Sequence, residues 1–190
     1  EYTQAKRSGN LTETIKNRYK HPQIKARLLE ETSEKCAYCE IKISDFNTEI
    51  EHILPKDSFP EKVVEWENLT IACSDCNRKK LDNIDLDNPP INPFVDKPSI
   101  HLVALGPMIM HKSGDMRGEV TERLFKLNEG RLFERRKERL ENLSNLLDKY
   151  VSSEGLMKRL LKKEIEKEQN KDKEFVFVVK AYIKQVCNLQ

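Results

Sequence analysis

Four of the five cysteines in the sequence occur as two C-x2-C pairs. Cys36 and Cys39 form the first pair, and Cys73 and Cys76 form the second, with 33 residues (40–72) between the pairs. Disulfide scaffolds are usually short, secreted and rich in cysteine, so this pattern instead predicts one structural zinc ion (Zn²⁺) held by four thiolates. The segment between the pairs is longer than in a simple zinc ribbon. We therefore expect an inserted segment that carries the function.

The inserted segment and its flank contain Glu51-His52, Asn68 and Asn77. Hydrolysis of a phosphodiester needs a base to activate water and a divalent cation to neutralise charge. A neutral imidazole, with a pKa of about 6.5, accepts a proton near pH 7, and carboxylate and amide oxygens are ligands suited to Mg²⁺ or Mn²⁺. Strand alternation would place Glu51 and His52 on opposite faces, so both reach one phosphate only if the strand bends there.

The order C-x2-C, Glu-His-Ile-x-Pro-Lys, Trp-x-Asn-Leu, C-x2-C-Asn-x2-Lys resembles the HNH endonuclease family. The resemblance covers residues 36–80 and implies a ββα-metal motif, which is a hairpin followed by a helix. By position, it implies that His52 is the general base, that Glu51 and Asn77 bind the catalytic divalent metal, and that Asn68 braces the loop. The implied reaction is metal-dependent hydrolysis of DNA, with double-stranded DNA as the expected substrate.

Three basic residues of the motif region are the predicted nucleic-acid contacts, namely Lys56, Arg78 and Lys80. The sequence also departs from the family pattern at two positions. Glu51 stands where Asp is more frequent in the family, which puts direct metal binding by this carboxylate in question. Asn77 stands where many members have His, although this variant also occurs among family members.

A finer resemblance is to the PtuB family, the HNH subunits of the Septu anti-phage system, which also occur with some retrons. This family works with an ATPase partner, PtuA, so the resemblance implies a defence nuclease that is restrained until infection is sensed. The matching segments are Cys-Ala-Tyr-Cys-Glu at 36–40, Ile-Glu-His at 50–52, Trp-Glu-Asn-Leu at 66–69, Ile-Asn-Pro-Phe-Val-Asp at 91–96 and Leu-Asn at 127–128.

A non-catalytic zinc module that binds nucleic acid or a protein partner is the alternative function. The Glu51-His52 pair and Asn77 argue against it, because a binding module needs neither. A redox role for the C-x2-C thiols is disfavoured, since neither pair lies between a strand and a long helix as in thioredoxin-like proteins. Structural or surface roles are the default for the other histidines, and Cys187 is expected to be a small buried hydrophobe.

The elements that must position these residues can be predicted from periodicity. Apolar residues at helical spacing predict a helix over 11–31, broken at His21-Pro22, because proline is accepted in the first turn of a helix. Alternation predicts a strand at 48–55, and Ser74 or Asp75 is expected to cap a short helix that extends to Lys80. Further on, 101–105 and 108–111 predict a small hairpin around Gly106-Pro107.

Helical stripes follow the predicted hairpin, and Phe175, Val179, Tyr182 and Val186 form the last of them. The expected fold class is α+β and mostly helical, with a ββα-metal core and a four-cysteine zinc site. We predict an N-terminal helical segment (1–35), a nuclease core (36–98) and a C-terminal region of hairpin and helices (99–190) that packs and docks a partner. The Asn-, Asp- and Pro-rich stretch 81–99 marks the second boundary.

Composition excludes several classes of protein. The chain has 190 residues, a net charge of +2 and a mean hydropathy of −0.71, and no apolar run approaches the roughly 20 residues of a membrane helix. The first ten residues have no apolar signal core, so we expect a cytoplasmic protein. From Thr48 to Lys97 there are eleven acidic and six basic residues, which gives a net charge of −5. Such a region repels DNA, so we expect help from the basic run 131–139 or, preferably, from a partner.

Overall fold

The computed structural model describes residues 1–43, 48–80, 84 and 87–187, with only the backbone of Cys187. The expected burial of the Cys187 side chain therefore lies outside the described residues. The chain divides into two compact units, Glu1–Leu86 and Asp87–Gln190. The fold is α+β and mostly helical, as predicted.

The first unit begins with short helices that pack beside the later hairpin. Thr12 caps the second helix, because its hydroxyl accepts a hydrogen bond from the Ile15 amide at 3.3 Å. Pro22 occupies the first turn of the third helix, and Ser33, with a φ of 54°, ends it in the left-handed region. The predicted break at His21-Pro22 is thus confirmed. The helices are α1 (Tyr2–Arg7), α2 (Glu13–Lys16), a 3-10 turn (Arg18–Lys20) and α3 (Pro22–Thr32).

A two-stranded antiparallel sheet followed by a helix forms the centre of the first unit. Strand β1 (Thr48–His52) pairs with β2 (Leu69–Cys73), with Glu51 opposite Thr70 and His52 opposite Leu69. Helix α4 (Ser74–Lys80) follows β2 directly and packs against both strands. This is the predicted ββα arrangement. Two 3-10 turns, Pro60–Lys62 and Trp66–Asn68, lie in the connection between the strands.

The apolar core of the first unit is small. It joins the N-terminal helices to the hairpin, and its buried members are Tyr2, Tyr19, Leu28, Val63, Leu69 and Ile71. Because these residues come from α1, the first 3-10 turn, α3, the connection and β2, one cluster holds all of these elements together.

The second unit consists of a hairpin and helices. Strands β3 (Leu102–Leu105) and β4 (Met108–His111) pair antiparallel around a turn in which Gly106 has a φ of 56°, so the predicted hairpin is confirmed. The final segment is helical, as its spacing predicts. Of the residues in the predicted stripe, Phe175 and Val179 are buried, whereas Val186 is 56% exposed. The helices are α5 (Pro98–His101), α6 (Met116–Leu124), α7 (Gly130–Val151), α8 (Gly155–Lys167) and α9 (Val176–Cys187).

The structure groups residues 87–98 with the second unit, whereas the sequence pattern grouped them with the nuclease core. Hydrogen bonds explain the difference. The Ile91 amide donates to the Thr121 hydroxyl at 2.8 Å, and Arg117 donates to the Asp96 carboxylate and, at 3.0 Å, to the Pro89 carbonyl. These side chains on α6 hold a segment whose own composition is typical of a linker.

Three arginines of the basic run 131–139 form contacts within the second unit. Arg136 is buried and donates to the Leu127 carbonyl, Arg135 pairs with Glu174 at 2.8 Å, and Arg139 pairs with Glu168. The ion pairs of Arg135 and Arg139 neutralise two of the charges that the sequence suggested for phosphate binding, and burial of Arg136 keeps its side chain away from a phosphate. Among the described helices, none is long and apolar enough to cross a membrane.

Candidate active site

The four paired cysteines meet in one cluster in the first unit. Their sulfur atoms all lie within 4.8 Å of one another, and Cys39 Sγ is 3.9 Å from Cys73 Sγ. A tetrahedral zinc ion with Zn–S bonds of about 2.3 Å requires sulfurs about 3.8 Å apart. All four thiols are free of disulfides, and three of them are buried. The donor set therefore fits a structural zinc ion, which Cys36, Cys39, Cys73 and Cys76 would hold.

Backbone hydrogen bonds shape the first cysteine pair into a tight turn. The Cys36 amide donates to the Ile41 carbonyl at 2.9 Å, and the Glu40 amide donates to the Cys36 carbonyl at 3.0 Å. The Ala37 amide donates to the Ile71 carbonyl at 3.0 Å, which joins this turn to strand β2. Because Cys73 ends β2 and Cys76 lies in the first turn of α4, a bound zinc ion would tie the turn to the hairpin and to the helix.

Asn68 braces the loop that follows β1. Its Oδ1 accepts from the Leu54 amide at 2.7 Å, and its Nδ2 donates to the carbonyls of Leu54 at 3.2 Å and Lys62 at 3.0 Å. The Asn68 side chain thus forms hydrogen bonds with both the amide and the carbonyl of Leu54. These two groups are then not available to extend the β1–β2 backbone pairing. This explains why β1 ends at His52, although the alternating pattern predicted a strand through residue 55.

His52 stands at the end of β1, where the strand gives way to this loop. Its Nε2 lies 3.0 Å from the Val63 carbonyl oxygen. Since a carbonyl only accepts, Nε2 carries the proton, and the neutral ring keeps its lone pair on Nδ1. Among the described residues, none makes a hydrogen bond to Nδ1. This nitrogen is therefore available to accept a proton.

The surroundings of His52 favour the neutral ring. Burial lowers its pKa to about 4, the hydrogen bond to Val63 opposes this shift, and the positive charges of Lys56 and Lys80 support it. The imidazole is consequently uncharged at pH 7. A neutral imidazole is the form that a general base requires.

Glu51 is buried beside the amino group of Lys80. Lys80 Nζ donates to the Glu51 carboxylate and also to the His52 carbonyl, and both side chains are at most 10% exposed. Burial raises the pKa of the Glu51 carboxyl, and the charge of Lys80 opposes that shift. Lys80, a predicted phosphate contact, is thus placed inside the protein, where its charge compensates that of Glu51.

Asn77 lies on α4, and its Nδ2 donates to the carboxylate of Glu49 on β1. Glu49 was not among the residues singled out from the sequence. Its position two residues before Glu51 places both carboxylates on one face of the strand, a signal that could have identified it. Glu49, Glu51 and Asn77 together offer hard oxygen donors of the kind that Mg²⁺ and Mn²⁺ prefer.

Six of the predicted site residues line one cleft of about 290 Å³ in the first unit, namely Glu51, His52, Lys56, Asn77, Arg78 and Lys80. Glu51 and His52 both line it, as the predicted bend requires, and exposed Lys56 and Arg78 lie at its surface. Asn68 is not among the lining residues, which suits its bracing role. The cleft also includes Tyr19 of the N-terminal region, a residue for which the sequence predicts only a place in the helical pattern of residues 11–31. The lining residues are Tyr19, Ile50, Glu51, His52, Pro55, Lys56, Asn77, Arg78 and Lys80.

This arrangement agrees with a comparison against protein families. The segment 36–83 matches the family model of the HNH endonucleases. Residues 36–83 form an HNH domain. The HNH domain contains the cysteine cluster, His52 and helix α4, whereas Tyr19 lies before its first residue.

Two bacterial relatives resemble a larger part of the chain. A Septu protein PtuB from Bacillus thuringiensis is 40% identical over 110 residues, which cover 57% of this chain and 42% of that protein. A second Septu protein PtuB, from Bacillus mycoides (strain KBAB4), is 28% identical over 151 residues, covering 62% of this chain and 51% of that protein. The chain thus spans about half the length of these relatives.

Proposed function

We propose that the chain is a metal-dependent HNH endonuclease that hydrolyses phosphodiester bonds of double-stranded DNA. The observation that carries this proposal is the placement of His52. Its Nε2 donates to the Val63 carbonyl oxygen at 3.0 Å, which leaves Nδ1 to accept a proton, and the ring lines the cleft that Glu51 and Asn77 also line. A base prepared in this way, within an HNH domain, is what activation of a water molecule requires.

In the proposed reaction, Nδ1 of His52 takes a proton from the water that attacks phosphorus. As the new P–O bond forms, the P–O bond to the leaving oxygen of the DNA strand breaks, and that oxygen takes a proton from solvent, so one water molecule is added across the phosphodiester bond. The resulting imidazolium is stabilised because its Nε2–H already donates to Val63. The chemistry supplied by a bound divalent cation is stabilisation of the negative charge on the phosphate oxygens. Lys56 and Arg78 are exposed at the cleft and would contact neighbouring phosphates of the DNA backbone.

We assign Glu51 and Asn77 as the residues that would hold the catalytic Mg²⁺ or Mn²⁺, with Glu49 as an additional oxygen donor. The donor set fits a hard cation. Moreover, the Glu51 carboxylate already contacts a positive charge, that of Lys80, inside the protein. Metal binding would then compete with the ammonium of Lys80 for Glu51, so Lys80 is better suited to holding the carboxylate ionised than to binding phosphate.

The similarity to two proteins named Septu protein PtuB supports a role in anti-phage defence. We propose that the chain acts in the cytoplasm as the effector nuclease of a complex with an ATPase partner of the PtuA type. The acidic character of residues 48–97, with a net charge of −5, supports the need for a partner that presents the DNA.

Plasmid cleavage tests the proposed activity. The native chain, alone and with the ATPase partner, is incubated with supercoiled plasmid and Mg²⁺ or Mn²⁺. The variant His52→Ala should cut at least about 100-fold more slowly, because loss of a general base typically costs 10²- to 10⁴-fold. His21→Ala is the matched control, since His21 is exposed and does not line the cleft.

The plasmid assay distinguishes the HNH endonuclease from the alternative function, a non-catalytic zinc module that binds nucleic acid or a protein partner. Equal cutting by the native chain and His52→Ala would exclude His52 as the base. Absence of metal-dependent cutting under all conditions, with plasmid still bound, would favour the non-catalytic zinc module.

A further inference from the structure

Tyr19 lies against the proposed general base, although it belongs to a part of the chain outside the HNH domain. The ring centroids of Tyr19 and His52 are 4.4 Å apart, and the ring planes meet at 72°, an edge-to-face contact. Tyr19 also lines the same cleft as Glu51, His52 and Asn77. The N-terminal region therefore contributes part of the wall of the candidate active site.

The geometry points to Tyr19 as a positioning residue that orients the His52 ring for catalysis. This inference rests on the proposed function, because it assumes that Nδ1 of His52 acts as the base. The single hydrogen bond from Nε2 to the Val63 carbonyl holds one ring atom but leaves the ring free to swing about that contact. Packing of the Tyr19 ring at 4.4 Å removes this remaining freedom and so sets the direction of Nδ1.

Both contacts of the His52 ring belong to one packed cluster. Tyr19 is 6% exposed and Val63 is fully buried, and the two residues are members of the same core together with Leu28 and Leu69. Because the core is close-packed, the aromatic ring and the carbonyl that hold His52 keep a fixed separation. The small core of the first unit thus aligns the base as well as stabilising the fold.

Two ammonium groups lie close to the Tyr19 ring. Lys20 Nζ is 5.8 Å from the ring centroid and Lys56 Nζ is 6.0 Å from it, within the range of a cation–π interaction. Lys56 is an exposed residue of the cleft and a predicted phosphate contact. Tyr19 therefore also keeps the ammonium groups of Lys20 and Lys56 close to the proposed base, where Lys56 would contact a neighbouring phosphate of the DNA backbone.

Substitutions at Tyr19 and Tyr2 separate positioning from simple core packing. Tyr2 is the matched control, because it lies in the same core cluster but does not line the cleft. With the metal-loaded chain and its partner, Tyr19→Leu should lower kcat about 10- to 100-fold while KM changes less than about threefold, since a misplaced base slows the chemical step. Tyr19→Phe keeps the aromatic contact and should retain kcat within about threefold. Tyr2→Leu should leave kcat unchanged.

A spectroscopic measurement gives a readout that does not depend on cleavage. In the native chain, imidazole ¹⁵N spectra should show a single Nε2–H tautomer for His52, because Nε2 donates to Val63. Tyr19→Leu should show a mixture of tautomers or exchange broadening, whereas Tyr19→Phe and Tyr2→Leu should keep the native pattern. Zinc content, measured in every variant, verifies that the fold is retained.

The outcomes distinguish this inference from the proposed function. A Tyr19→Leu protein with native kcat and one His52 tautomer would overturn the positioning role, and so would an equal loss of kcat in Tyr2→Leu. If the native chain leaves plasmid uncut but its His52 tautomer depends on Tyr19, the proposed nuclease activity fails and the positional contact stands.

Discussion

The two units of the chain bury different kinds of side chain. Among the described residues, buried polar or charged side chains in the first unit include the Glu51–Lys80 pair, His52 and Asn68, whereas the second unit buries only Thr121 and Arg136. The second unit instead fills its interior with large apolar side chains, namely Phe125, Leu127, Ile165, Phe175, Val178 and Val179. Burial of a charged pair carries a desolvation penalty that burial of apolar side chains does not. In the first unit, this penalty falls on the Glu51–Lys80 pair in the candidate active site.

The ion pairs of the two units differ in the same way. In the second unit, Arg117 pairs with Asp96 and Arg135 pairs with Glu174, and all four side chains are between 19% and 37% exposed. Partly exposed pairs of this kind contribute little to stability. The Glu51–Lys80 pair is almost completely buried, so loss of one partner has a larger effect. We propose that the first unit depends on a bound zinc ion and on charge compensation at the Glu51–Lys80 pair, whereas the second depends on apolar packing.

Loss of zinc should have the largest effect and should be confined to the first unit. Cys36→Ser removes one of four thiolates, and structural zinc sites typically contribute on the order of 10 kcal/mol. We expect the variant to lose its zinc and the ordered β1–β2 hairpin, while helices α7–α9 remain folded. Metal analysis and hydrogen exchange followed by mass spectrometry would show both effects.

Cys187→Ser is the control for this prediction, because Cys187 lies outside both C-x2-C pairs. Simultaneous loss of protection in α7–α9 would show that the second unit also depends on the zinc site and would contradict the comparison.

Substitution of Lys80 should have the next largest effect. Lys80→Met leaves the Glu51 carboxylate buried without its cation, which should reduce the free energy of unfolding by about 3–5 kcal/mol. Arg78→Met makes the same change of charge two residues away, but the Arg78–Asp75 pair is exposed, with side chains 72% and 45% accessible. We expect that variant to lose about 0–1 kcal/mol in urea denaturation.

The double variant Lys80→Met/Glu51→Gln sharpens this test. It removes both charges, so it should be more stable than Lys80→Met alone. Equal losses for Lys80→Met and Arg78→Met would mean that the buried pair is no more important to stability than the exposed one.

The smallest effect is expected at a close contact in the second unit. A Cβ atom on Gly118 would lie 2.5 Å from the His101 carbonyl oxygen, so Gly118→Ala must push helix α6 away from the hairpin. We expect a loss of about 1–3 kcal/mol, as is typical of overpacking, with no change in zinc content. Thermal unfolding followed by circular dichroism would measure it.

Gly130→Ala provides the matched comparison. Gly130 is the first residue of α7 in the same unit, and a Cβ atom there meets nothing within 4 Å. This variant should be neutral or slightly stabilised. Zinc loss in Gly118→Ala would indicate that packing in the second unit does affect the first.

Several features of the fold were predictable because they depend on neighbours along the chain. The break at Pro22, the turn at Gly106-Pro107 and the short helix that ends at Lys80 follow from local conformational preference, whereas the ββα order was implied by the resemblance to the HNH family. Burial within α9 was less predictable. The regular spacing of Phe175, Val179, Tyr182 and Val186 predicts one face of the helix, but Val186 is 56% exposed, whereas Val176 and Ile183, which lie outside that spacing, are buried. Which face of a helix is covered depends on what packs against it.

The sequence by itself identified the candidate zinc ligands and the candidate general base, because cysteine spacing and the Glu51-His52 pair are chemical signals that need no tertiary contact to recognise. Only the tertiary structure decided how these groups are held. Tyr19 meets His52, Lys80 compensates Glu51, and Asn77 pairs with Glu49 across 28 or more residues of chain. Such contacts arise when the hairpin, α4 and the N-terminal helices pack together, and packing is a property of the folded chain that residue spacing does not encode.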